Sequence, residues 1–400
     1  MKKYKLAVLT SHPIQYQAPL FKLLAQHQEI DLLVYFCWKF GAEKTYDVQF
    51  GKDIEWDIPL LEGYKYQFFK NFSLRPSSDF WGQINPGIVV ELIKNRPNAV
   101  LVYGWNSFAN WIVFATAFLS GLPVLLHGEN PLNQELLKSA WKRKIKKIIL
   151  GWLFKRISVF LYIGEENKKF YQFYGVPEKK MFFAPYAVDN NRYITAAKNL
   201  KNQKQKFKDK LEIKENDVVI LFVGKLIKKK RPMGLLKAYE ILKSKIINHK
   251  SSLIFVGDGN LRQELEKYTQ ENNFQNVHFA GFKNQTELPQ YYAMADIFVL
   301  PSGAGETWGL VVNEAMCFGL PIIVSDVVGC GKDLVKNGEN GYIFPLGNIE
   351  KLAEYLKELA GNDEKRKKFG EKSFEIIQNY SFEKDIKGIL KSLNYKHNSK

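Results

Sequence analysis

The chain alternates short apolar runs with longer segments of helical periodicity, and this alternation limits the possible folds more than any other feature. The runs have the length of buried strands, and strands that alternate with helices favour a parallel sheet covered on both faces. The predicted strands are 6–10, 32–37, 99–103, 124–127 and 159–163, followed by a second series at 218–223, 253–256, 277–280, 297–300, 321–324 and 341–344. The sequence therefore predicts an α/β protein.

A polar stretch at 189–217, rich in lysine from 201 to 210, separates the two series of strands. Its composition also fits a solvated helix face, but either interpretation places a domain boundary there. A chain of 400 residues exceeds what one core usually organises, which agrees with more than one domain. We expect two Rossmann-like domains facing a cleft, and open α/β sheets bind ligands at the carboxyl ends of their strands. The predicted boundaries are an N-terminal domain at 1–200, a linker at 201–217, a second domain at 218–380 and a helical segment at 381–400 that returns to the N-terminal domain.

The composition restricts the class of partner. The 58 Lys and Arg residues against 41 Asp and Glu residues give a formal charge of +17, which favours an anionic partner: nucleic acid, a phosphorylated metabolite or an acidic membrane surface. With 46% hydrophobic and 14% aromatic residues, wholesale disorder is excluded. The three cysteines are too few and too scattered for a disulfide framework or a thiolate zinc site, which fits a reducing cytoplasm.

Residues 99–128 contain no Asp, Glu, Lys or Arg and are long enough to cross a bilayer. Gly104 and the turn residues 121–123 interrupt this stretch, however. The helix between them would have about fourteen residues and would reach about 21 Å, against roughly 30 Å of hydrocarbon. We therefore favour a buried β-α-β unit, with a true membrane span as the alternative.

The block 301–321 combines a glycine-rich loop with a helical segment at 309–318. Such a loop at the start of a helix presents backbone N–H groups and the positive helix end, which suit a diphosphate. Glu306 precedes the predicted helix and Glu314 lies inside it. Carboxylates accept hydrogen bonds from hydroxyls, so the two side chains suit a sugar-containing ligand. Alone, two such glutamates are usually surface charges, but after this loop we expect both to be exposed to the cleft.

Short motifs surround this block along the second half of the chain. They are 222–226 with Lys230, 256–259 with Leu261 and Arg262, 279–282, 295–296, 315, 319–324 and 337–341. Together with Glu306 and Glu314, which are spaced as E-x7-E, they make the chain resemble the family-4 retaining glycosyltransferases of the GT-B fold. The resemblance is dense from 218 to about 386, and the first half shares only the rhythm of strands and the motif at 186–189.

The resemblance implies roles for individual residues. Glu306 would contact hydroxyls of the transferred sugar, and Glu314 the ribose of the nucleotide. Lys225 and Lys230 occupy positions where the family usually has an Arg and a Lys directed at the diphosphate, whose negative charge grows as it leaves. Lysine keeps the charge but lacks the guanidinium fork, and two ordinary lysines beside the basic run 228–231 are the alternative. The remaining predicted nucleotide-binding positions are the backbone at Trp308, Gly309 and Leu310, together with Gly224, Gly257, Asp258, Gly281 and Phe282.

The sequence has no Asp-x-Asp pair of the kind that holds a divalent metal on a sugar nucleotide, so we predict a reaction without metal or other cofactor. Two histidines, His12 and His127, follow predicted strands of the first half. Many family members have a histidine at the place of His127, close to the transferred sugar. His12 lies where the family's usual pair of glycines is missing. A purely structural role is the alternative for both.

These observations predict a cytoplasmic, metal-independent, retaining glycosyltransferase of hexosyltransferase type. We expect it to transfer a sugar from a nucleoside diphosphate sugar, UDP by default, to a glycan or lipid-linked acceptor in surface polysaccharide or lipopolysaccharide biosynthesis. One alternative is a sugar-nucleotide epimerase of GT-B architecture. The other is a basic nucleic-acid-binding protein, but the aromatic residues are not interleaved with the basic runs and no nucleic-acid motif occurs.

The segment 138–156 has eight basic residues and no acidic one. A basic amphipathic helix with tryptophans suits the inner face of an anionic membrane, with the enzyme peripherally bound. The alternative is that its apolar stripe packs on the sheet and the lysines are merely solvated. The predicted stripe is Trp141, Ile145, Ile148, Ile149, Trp152 and Leu153, and the predicted basic faces carry Lys142, Arg143, Lys144, Lys146 and Lys147.

Overall fold

The computed structural model describes residues 3–245 and 251–398. These residues divide into two compact units. The first unit contains the described residues 3–45, 54–186 and 382–398, and the second contains 46–53, 187–245 and 251–381. Each unit is built around one parallel sheet.

The elements of the first half alternate between strand and helix. They are β1 (Tyr4–Thr10), α1 (Ala18–Gln26), β2 (Ile30–Phe36), β3 (Thr45–Asp47), β4 (Lys52–Ile54), β5 (Lys65–Phe68), α2 (Gly87–Asn95), β6 (Ala99–Tyr103), α3 (Phe108–Ser120), β7 (Val124–His127), α4 (Leu132–Leu136), α5 (Ala140–Arg156), β8 (Val159–Tyr162), α6 (Glu165–Phe173) and β9 (Met181–Phe183).

The second half continues the same alternation. Its elements are α7 (Asn190–Leu200), α8 (Lys204–Asp209), β10 (Val218–Val223), α9 (Pro232–Lys245), β11 (Ser251–Val256), α10 (Arg262–Glu271), β12 (Val277–Gly281), α11 (Leu288–Met294), β13 (Ile297–Leu300), α12 (Leu310–Cys317), β14 (Ile322–Ser325), α13 (Gly331–Leu334), β15 (Gly341–Phe344), α14 (Ile349–Ala360), α15 (Asp363–Ile377) and α16 (Phe382–Asn398).

The sheet of the first unit has seven strands in the order β5-β2-β1-β6-β7-β8-β9. Its central strands β1, β6 and β7 each contain a continuous buried apolar run, as expected of parallel strands covered on both faces and as the sequence predicts. The sequence analysis missed the two edge strands, β5 and β9. Both are short and only partly buried, so neither contains the continuous apolar run that marks a central strand.

The sheet of the second unit has six strands in the order β12-β11-β10-β13-β14-β15. Strands β10 and β11 are buried at every position, as are β13 and β14. Strands β11 and β12 lie on one side of β10, and β13, β14 and β15 lie on the other side. The order of the strands therefore reverses where β10 pairs in parallel with β13. The two parallel sheets confirm the predicted α/β class with two Rossmann-like domains.

The unit boundary lies between residues 186 and 187, earlier than the predicted boundary after 200. The predicted linker 201–217 contains α8 and belongs to the second unit, where α7 and α8 pack against α11. The helix α16 packs on β8 and β9 of the first unit. One small segment departs from this division, since residues 46–53 belong to the second unit although both flanking stretches belong to the first.

The uncharged stretch 99–128 forms β6, α3 and β7 as predicted. Ser107 begins α3 through a capping box with Asn110, and Gly121 ends it in the left-handed conformation. Within the residues that the structure describes, no helix combines the length and the hydropathy that crossing a bilayer requires.

The helix α5 does not place its predicted stripe against the sheet. Its buried face consists of Leu150, Leu153 and Phe154. Trp141 is 62% exposed and Ile148 is 70% exposed. The stripe and the buried face therefore share only Leu153, and the alternative of a stripe packed on the sheet is wrong for the other five stripe residues.

Gly388 lets α16 lie directly on β9. A Cβ atom at this position would lie 2.0 Å from the carbonyl oxygen of Phe183. Gly388→Ala should therefore lower the free energy of unfolding by about 1–3 kcal/mol, although alanine is the better helix former. Urea unfolding followed by circular dichroism measures the change.

Gly151 is the matched control, because it lies inside α5 and a Cβ atom there would meet nothing within 4 Å beyond its own helix. Gly151→Ala should leave stability unchanged or raise it by up to about 1 kcal/mol. Equal effects of the two substitutions would contradict the packing of α16 on β9.

Candidate functional site

The candidate site of the second unit lies where the order of its strands reverses. The loops after β10 and β13 leave the same edge of the sheet side by side. Gly303 donates its backbone N–H to the carbonyl oxygen of Lys229 at 2.7 Å, and the Nζ of Lys229 donates to the carbonyl oxygen of Gly305 at 3.1 Å. Such reversals are the usual ligand sites of open α/β sheets.

Three of the predicted glycines bring neighbouring loops into close contact. Gly224 donates to the carbonyl oxygen of Val256 at 2.9 Å, and Gly257 donates to that of Gly281 at 2.8 Å. Gly257 has a φ of +138°, and a Cβ atom there would lie 1.9 Å from the carbonyl oxygen of Gly224. Only glycine fits this position, so the packing of the loops alone explains Gly257.

Glu306 forms an ion pair with Lys230. The same carboxylate oxygen, Oε2, accepts a hydrogen bond from the hydroxyl of Ser302 at 3.0 Å. Burial raises the pKa of Glu306, but the adjacent Lys230 ammonium outweighs this effect, so that the pKa lies below its ordinary value. The site therefore holds an ionised carboxylate and a cation together on the two adjacent loops.

Glu306 is only 8% exposed, and the expectation of an exposed side chain is wrong for it. The reason is that its loop folds against the loop after β10. The expectation of an exposed side chain is also wrong for Glu314, which is 0% exposed. Its carboxylate accepts hydrogen bonds from the hydroxyls of Tyr193 at 2.7 Å and Tyr292 at 2.6 Å. It is buried because α12 packs against α7 and α15.

The sequence analysis missed Tyr193 and Tyr292. They lie on α7 and α11, and no motif distinguishes them from other core tyrosines. Because a buried carboxylate holds both hydroxyls, Glu314→Ala would damage packing as well as any ligand contact. We therefore expect Glu314→Ala to lower stability and not only ligand binding.

The start of α12 is held by its neighbours. Gly309 precedes the helix with a φ of +102°, and Leu310 is its first residue. The backbone N–H groups of Gly329 and Cys330 donate to the carbonyl oxygens of Glu306 and Trp308 at 3.0 and 3.1 Å. The N–H groups in the first turn of a helix have no partner within that helix, so this turn can receive an anion.

The side chain of Trp308 is buried rather than aimed at a ligand. Its indole Nε1 donates to the Oδ1 of Asn313 at 2.9 Å, and its ring lies 5.9 Å from that of Tyr380. Any contact of Trp308 with a diphosphate therefore involves its backbone.

Lys225, Asp258 and Phe282 all contact residues 46–53. The Nζ of Lys225 lies 3.0 Å from the carboxylate of Asp47, and the Nζ of Lys52 lies 3.4 Å from that of Asp258. Burial lowers the pKa of Lys225, and Asp47 partly opposes this effect. The sequence analysis missed residues 46–53, because nothing in this short hairpin signals contact with residues 178 or more positions later.

His127, at the end of β7, lies in an aromatic cluster of the first unit. Its ring centroid is 4.7 Å from that of Tyr103 and 6.0 Å from that of Tyr186. Burial lowers its pKa to about 4, so the imidazole is neutral near pH 7. Its Nδ1 is buried and has no hydrogen-bond partner among the described residues.

His12 lies in a different cluster. Its Nδ1 is 2.9 Å from the hydroxyl of Ser11, and its ring contacts those of Trp38 and Phe40. Burial lowers its pKa to about 4. Its packing against two aromatic rings supports the structural alternative for His12.

Asp385 is a buried carboxyl group that the sequence analysis did not single out. It lies in the first turn of α16, and its Oδ1 has no hydrogen-bond partner among the described residues. Burial raises its pKa to about 8, so the group is mainly protonated at neutral pH.

The predicted nucleotide-binding residues therefore gather at one edge of the second sheet, whereas His12 and His127 lie in separate clusters of the first unit. In the parts of the chain that the structure describes, no group of three or more His, Cys, Asp or Glu side chains could hold a metal ion. The three cysteines are buried and free.

Much of the second unit is similar to a known protein family. Residues 203–375 match the family model of glycosyl transferases group 1. The matched range is less than half of the chain and contains the sheet edge that carries Lys230 and Glu306. Residues 203–375 of the second unit are thus similar to the group 1 glycosyl transferases.

Two curated proteins are similar to the chain. An uncharacterized glycosyltransferase of Methanocaldococcus jannaschii is 29% identical over 232 residues, 53% of this chain and 62% of that protein. A UDP-Gal:alpha-D-GlcNAc-diphosphoundecaprenol alpha-1,3-galactosyltransferase of Escherichia coli is 30% identical over 249 residues, 60% of this chain and 61% of that protein. The matched part therefore spans about three fifths of each relative.

A solved structure resembles the whole chain. The crystal structure of Anabaena HepE in complex with UDP aligns with a TM-score of 0.72 at 19% identity, covering 98% of this chain and 100% of HepE. At this identity the likeness establishes the fold, which is that of GT-B glycosyltransferases.

Asp385→Asn tests the buried neutral carboxyl group. Because the folded-state pKa is about 8 and the ordinary value is 3.8, the wild type loses stability as the pH rises between these values. Asparagine is neutral in the folded and the unfolded protein, so the variant does not lose this stability. Between the two pKa values, the free energy of unfolding of the variant relative to wild type should rise by up to about 1.4 kcal/mol per pH unit. Thermal unfolding at pH 5, 6.5 and 8 measures it.

Glu383→Gln changes an exposed carboxylate in the same helical turn and should show no such trend. If the difference between Asp385→Asn and wild type were the same at all three pH values, Asp385 would be ionised in the folded protein.

Proposed function

We propose that this chain, whose second unit is similar to the group 1 glycosyl transferases, transfers a hexose-type sugar with retention from a UDP-sugar to a glycan or lipid-linked acceptor. The reaction would serve surface polysaccharide or lipopolysaccharide biosynthesis. The observation that carries the proposal is the Lys230–Glu306 pair beside the first turn of α12. UDP is supported by its presence in HepE and by the UDP-galactose donor in the name of the E. coli relative.

The charges of the site suit the departure of a nucleoside diphosphate. Lys225, Lys230 and the first turn of α12 would stabilise the negative charge that develops on the diphosphate, without a metal ion. These groups are held in place before the reaction, because the loop carrying Lys230 is bonded to the loop after β13. Their reorganisation during the reaction is therefore small.

Ionised Glu306 would accept hydrogen bonds from hydroxyls of the transferred sugar. Glu314 would act on the ribose only through α12 and its two tyrosine partners, since its own carboxylate is buried. His127 would be a neutral imidazole beside the transferred sugar. We assign no enzymic nucleophile: the acceptor hydroxyl attacks the anomeric carbon on the face that the diphosphate leaves, and its proton passes to the departing phosphate oxygen.

Lys230→Gln tests the diphosphate contact. Removing a charge-assisted hydrogen bond should weaken UDP binding about 10-fold or more, with little effect on uridine. Calorimetric titration of UDP, GDP and uridine measures the affinities. Lys228→Gln, which changes an exposed lysine in the same turn, is the control and should bind like wild type. Equal losses for UDP and uridine would contradict the assignment.

Glu306→Gln tests the sugar contact in the same assays. The variant should keep UDP affinity near that of wild type but lose at least about 100-fold in transfer from UDP-glucose or UDP-galactose. Analysis of the products separates the alternatives: release of an altered UDP-sugar without an acceptor would indicate an epimerase. Binding of random oligonucleotides without UDP binding would indicate the nucleic-acid alternative.

We propose that the exposed face of α5 contacts a membrane that holds the acceptor. The exposed face of α5 carries Trp141, Ile145, Ile148, Ile149 and Trp152, an unusual group to leave in water. A groove of about 280 Å³ adjoins this face and is lined by Trp105, Trp111 and Trp141 together with residues of α5. Tryptophan rings are well suited to the boundary between lipid and water. The lipid-linked acceptor in the name of the E. coli relative supports the same arrangement.

Only some of the basic residues on α5 are available for lipid headgroups. Lys146 pairs with buried Glu135 at 2.6 Å, and Arg143 donates to the carbonyl oxygen of Leu136 at 2.7 Å. Both therefore serve the fold of the first unit. Lys142, Lys144 and Lys147 are exposed and flank the apolar face. We assign the contact with anionic lipid, at the cytoplasmic face of the membrane, to these three lysines.

Changing Lys142, Lys144 and Lys147 together to Gln should reduce binding to anionic vesicles at least about 10-fold, since each lysine near such a surface contributes about 1 kcal/mol. Sedimentation with phosphatidylcholine vesicles, with and without phosphatidylglycerol, measures this. Lys198, Lys267 and Lys368 are exposed lysines elsewhere, and their change to Gln is the control of equal charge. Equal binding to neutral and anionic vesicles would exclude the proposed surface.

A further inference from the structure

A short segment from the first half of the chain contacts the candidate nucleotide site. We call residues 46–53 the strap. The strap belongs to the second unit, although the chain on either side of it belongs to the first. It is a hairpin formed by β3 and β4. Its contacts converge on three residues assigned to the nucleotide from the sequence: Lys225, Asp258 and Phe282.

The contact between the strap and Lys225 surrounds the lysine ammonium. Its Nζ lies 3.0 and 3.3 Å from the two carboxylate oxygens of Asp47 and 2.9 Å from the Oε1 of Gln49. The ammonium also lies 4.6 Å from the ring centroid of Phe50. Asp47 thus supplies a negative charge to the same ammonium that would receive a phosphate.

The rest of the strap makes a second set of contacts beside the first. The rings of Phe50 and Phe282 are 5.0 Å apart, and the Nζ of Lys52 lies 4.8 Å from the ring centroid of Phe282. The same ammonium of Lys52 pairs with Asp258 at 3.4 Å. The strap therefore covers the loops after β10, β11 and β12 together.

We propose that the strap is an internal anionic plug of the nucleotide site and that Asp47 determines its selectivity for diphosphates. A ligand must displace Asp47 from Lys225 in order to bind. A diphosphate carries more negative charge and more acceptor oxygens than one carboxylate, so it can replace Asp47, whereas a nucleoside cannot. This inference rests on the proposed function, because it assumes that Lys225 receives the diphosphate.

The plug has a thermodynamic consequence. A ligand that binds only after the strap has left Lys225 has an apparent affinity reduced by the fraction of molecules in which the strap is open. Weakening the plug raises that fraction and strengthens binding. If the strap instead formed part of the bound site, weakening it would weaken binding. The sign of the change in affinity therefore distinguishes a plug from a supporting wall.

The choice of variant follows from the geometry of the hairpin. The Oδ1 of Asp47 also accepts hydrogen bonds from the backbone N–H groups of Gln49 at 2.8 Å and Phe50 at 3.1 Å, which shapes the turn. Alanine would lose these bonds, whereas asparagine keeps an oxygen in the same place and removes only the charge. Asp47→Asn is therefore the test, and Asp53→Asn, an exposed carboxylate of the same strap, is the control of equal charge.

The experiment is calorimetric titration of wild type and both variants with UDP, inorganic pyrophosphate and uridine. We expect Asp47→Asn to bind UDP and pyrophosphate about 3- to 10-fold more tightly than wild type, with uridine affinity changed less than 2-fold. Asp53→Asn should bind all three like wild type. Unchanged or weaker UDP binding by Asp47→Asn would overturn the plug.

Amide hydrogen exchange of the strap tests the plug independently of the proposed function. The plug predicts faster exchange of the strap amides in Asp47→Asn than in wild type without ligand, and faster exchange in wild type when pyrophosphate is added. If wild type bound neither UDP nor GDP but pyrophosphate still released the strap, the proposed function would fail and the plug would stand. If neither UDP nor pyrophosphate changed strap exchange, the plug would be wrong.

Discussion

The parallel pairing of β10 with β13 is the constraint on which the second unit depends. Ile220 pairs with Ile297 and Leu221 with Phe298, although three strands and their helices are completed between the start of β10 and β13. This pairing reverses the order of the strands, and such reversals are the usual ligand sites of open α/β sheets. The loop with Lys230 and the loop with Glu306 meet there, so the position of the ion pair is a consequence of sheet order.

Buried charges in this chain are compensated by specific partners, and two of the following three pairs join distant parts of the sequence. Lys230 pairs with Glu306, Lys225 with Asp47, and Glu135 with Lys146. A buried ion without such a partner is costly, so each pair holds its two segments together more by the cost of separation than by net attraction. At the candidate site, a ligand that offers equal or greater negative charge can replace these carboxylates beside Lys225 and Lys230. The ion pairs are thus compatible with both stability and binding.

Two other titratable groups of the first unit are buried in their neutral form. Burial lowers the pKa of His127 and raises the pKa of Asp385, so both are uncharged near pH 7. Tyr103 lies close to both groups. Its ring contacts that of His127, and nearby Asp385 contributes, after burial, to raising the pKa of Tyr103. The interior of the first unit therefore contains both a buried ion pair and buried neutral groups.

The sequence by itself determined the α/β class, the central strands of both sheets and the glycine-rich loop before α12. Burial on both faces of a sheet imposes a continuous apolar run on each central strand, and such a run is a local property of the sequence. Glycine content is local as well. The resemblance of the sequence to the family-4 glycosyltransferases also singled out Lys225, Lys230 and Glu306. The sequence did not determine that Glu314 is enclosed by Tyr193 and Tyr292, that α5 leaves its tryptophans exposed, or that Asp47 reaches Lys225. Each of these depends on which helix faces and loops meet after the strands have paired, and side-chain contacts between segments far apart in sequence leave no periodic trace in either segment. Only the tertiary structure therefore decided which charges are buried, which are paired and which face solvent.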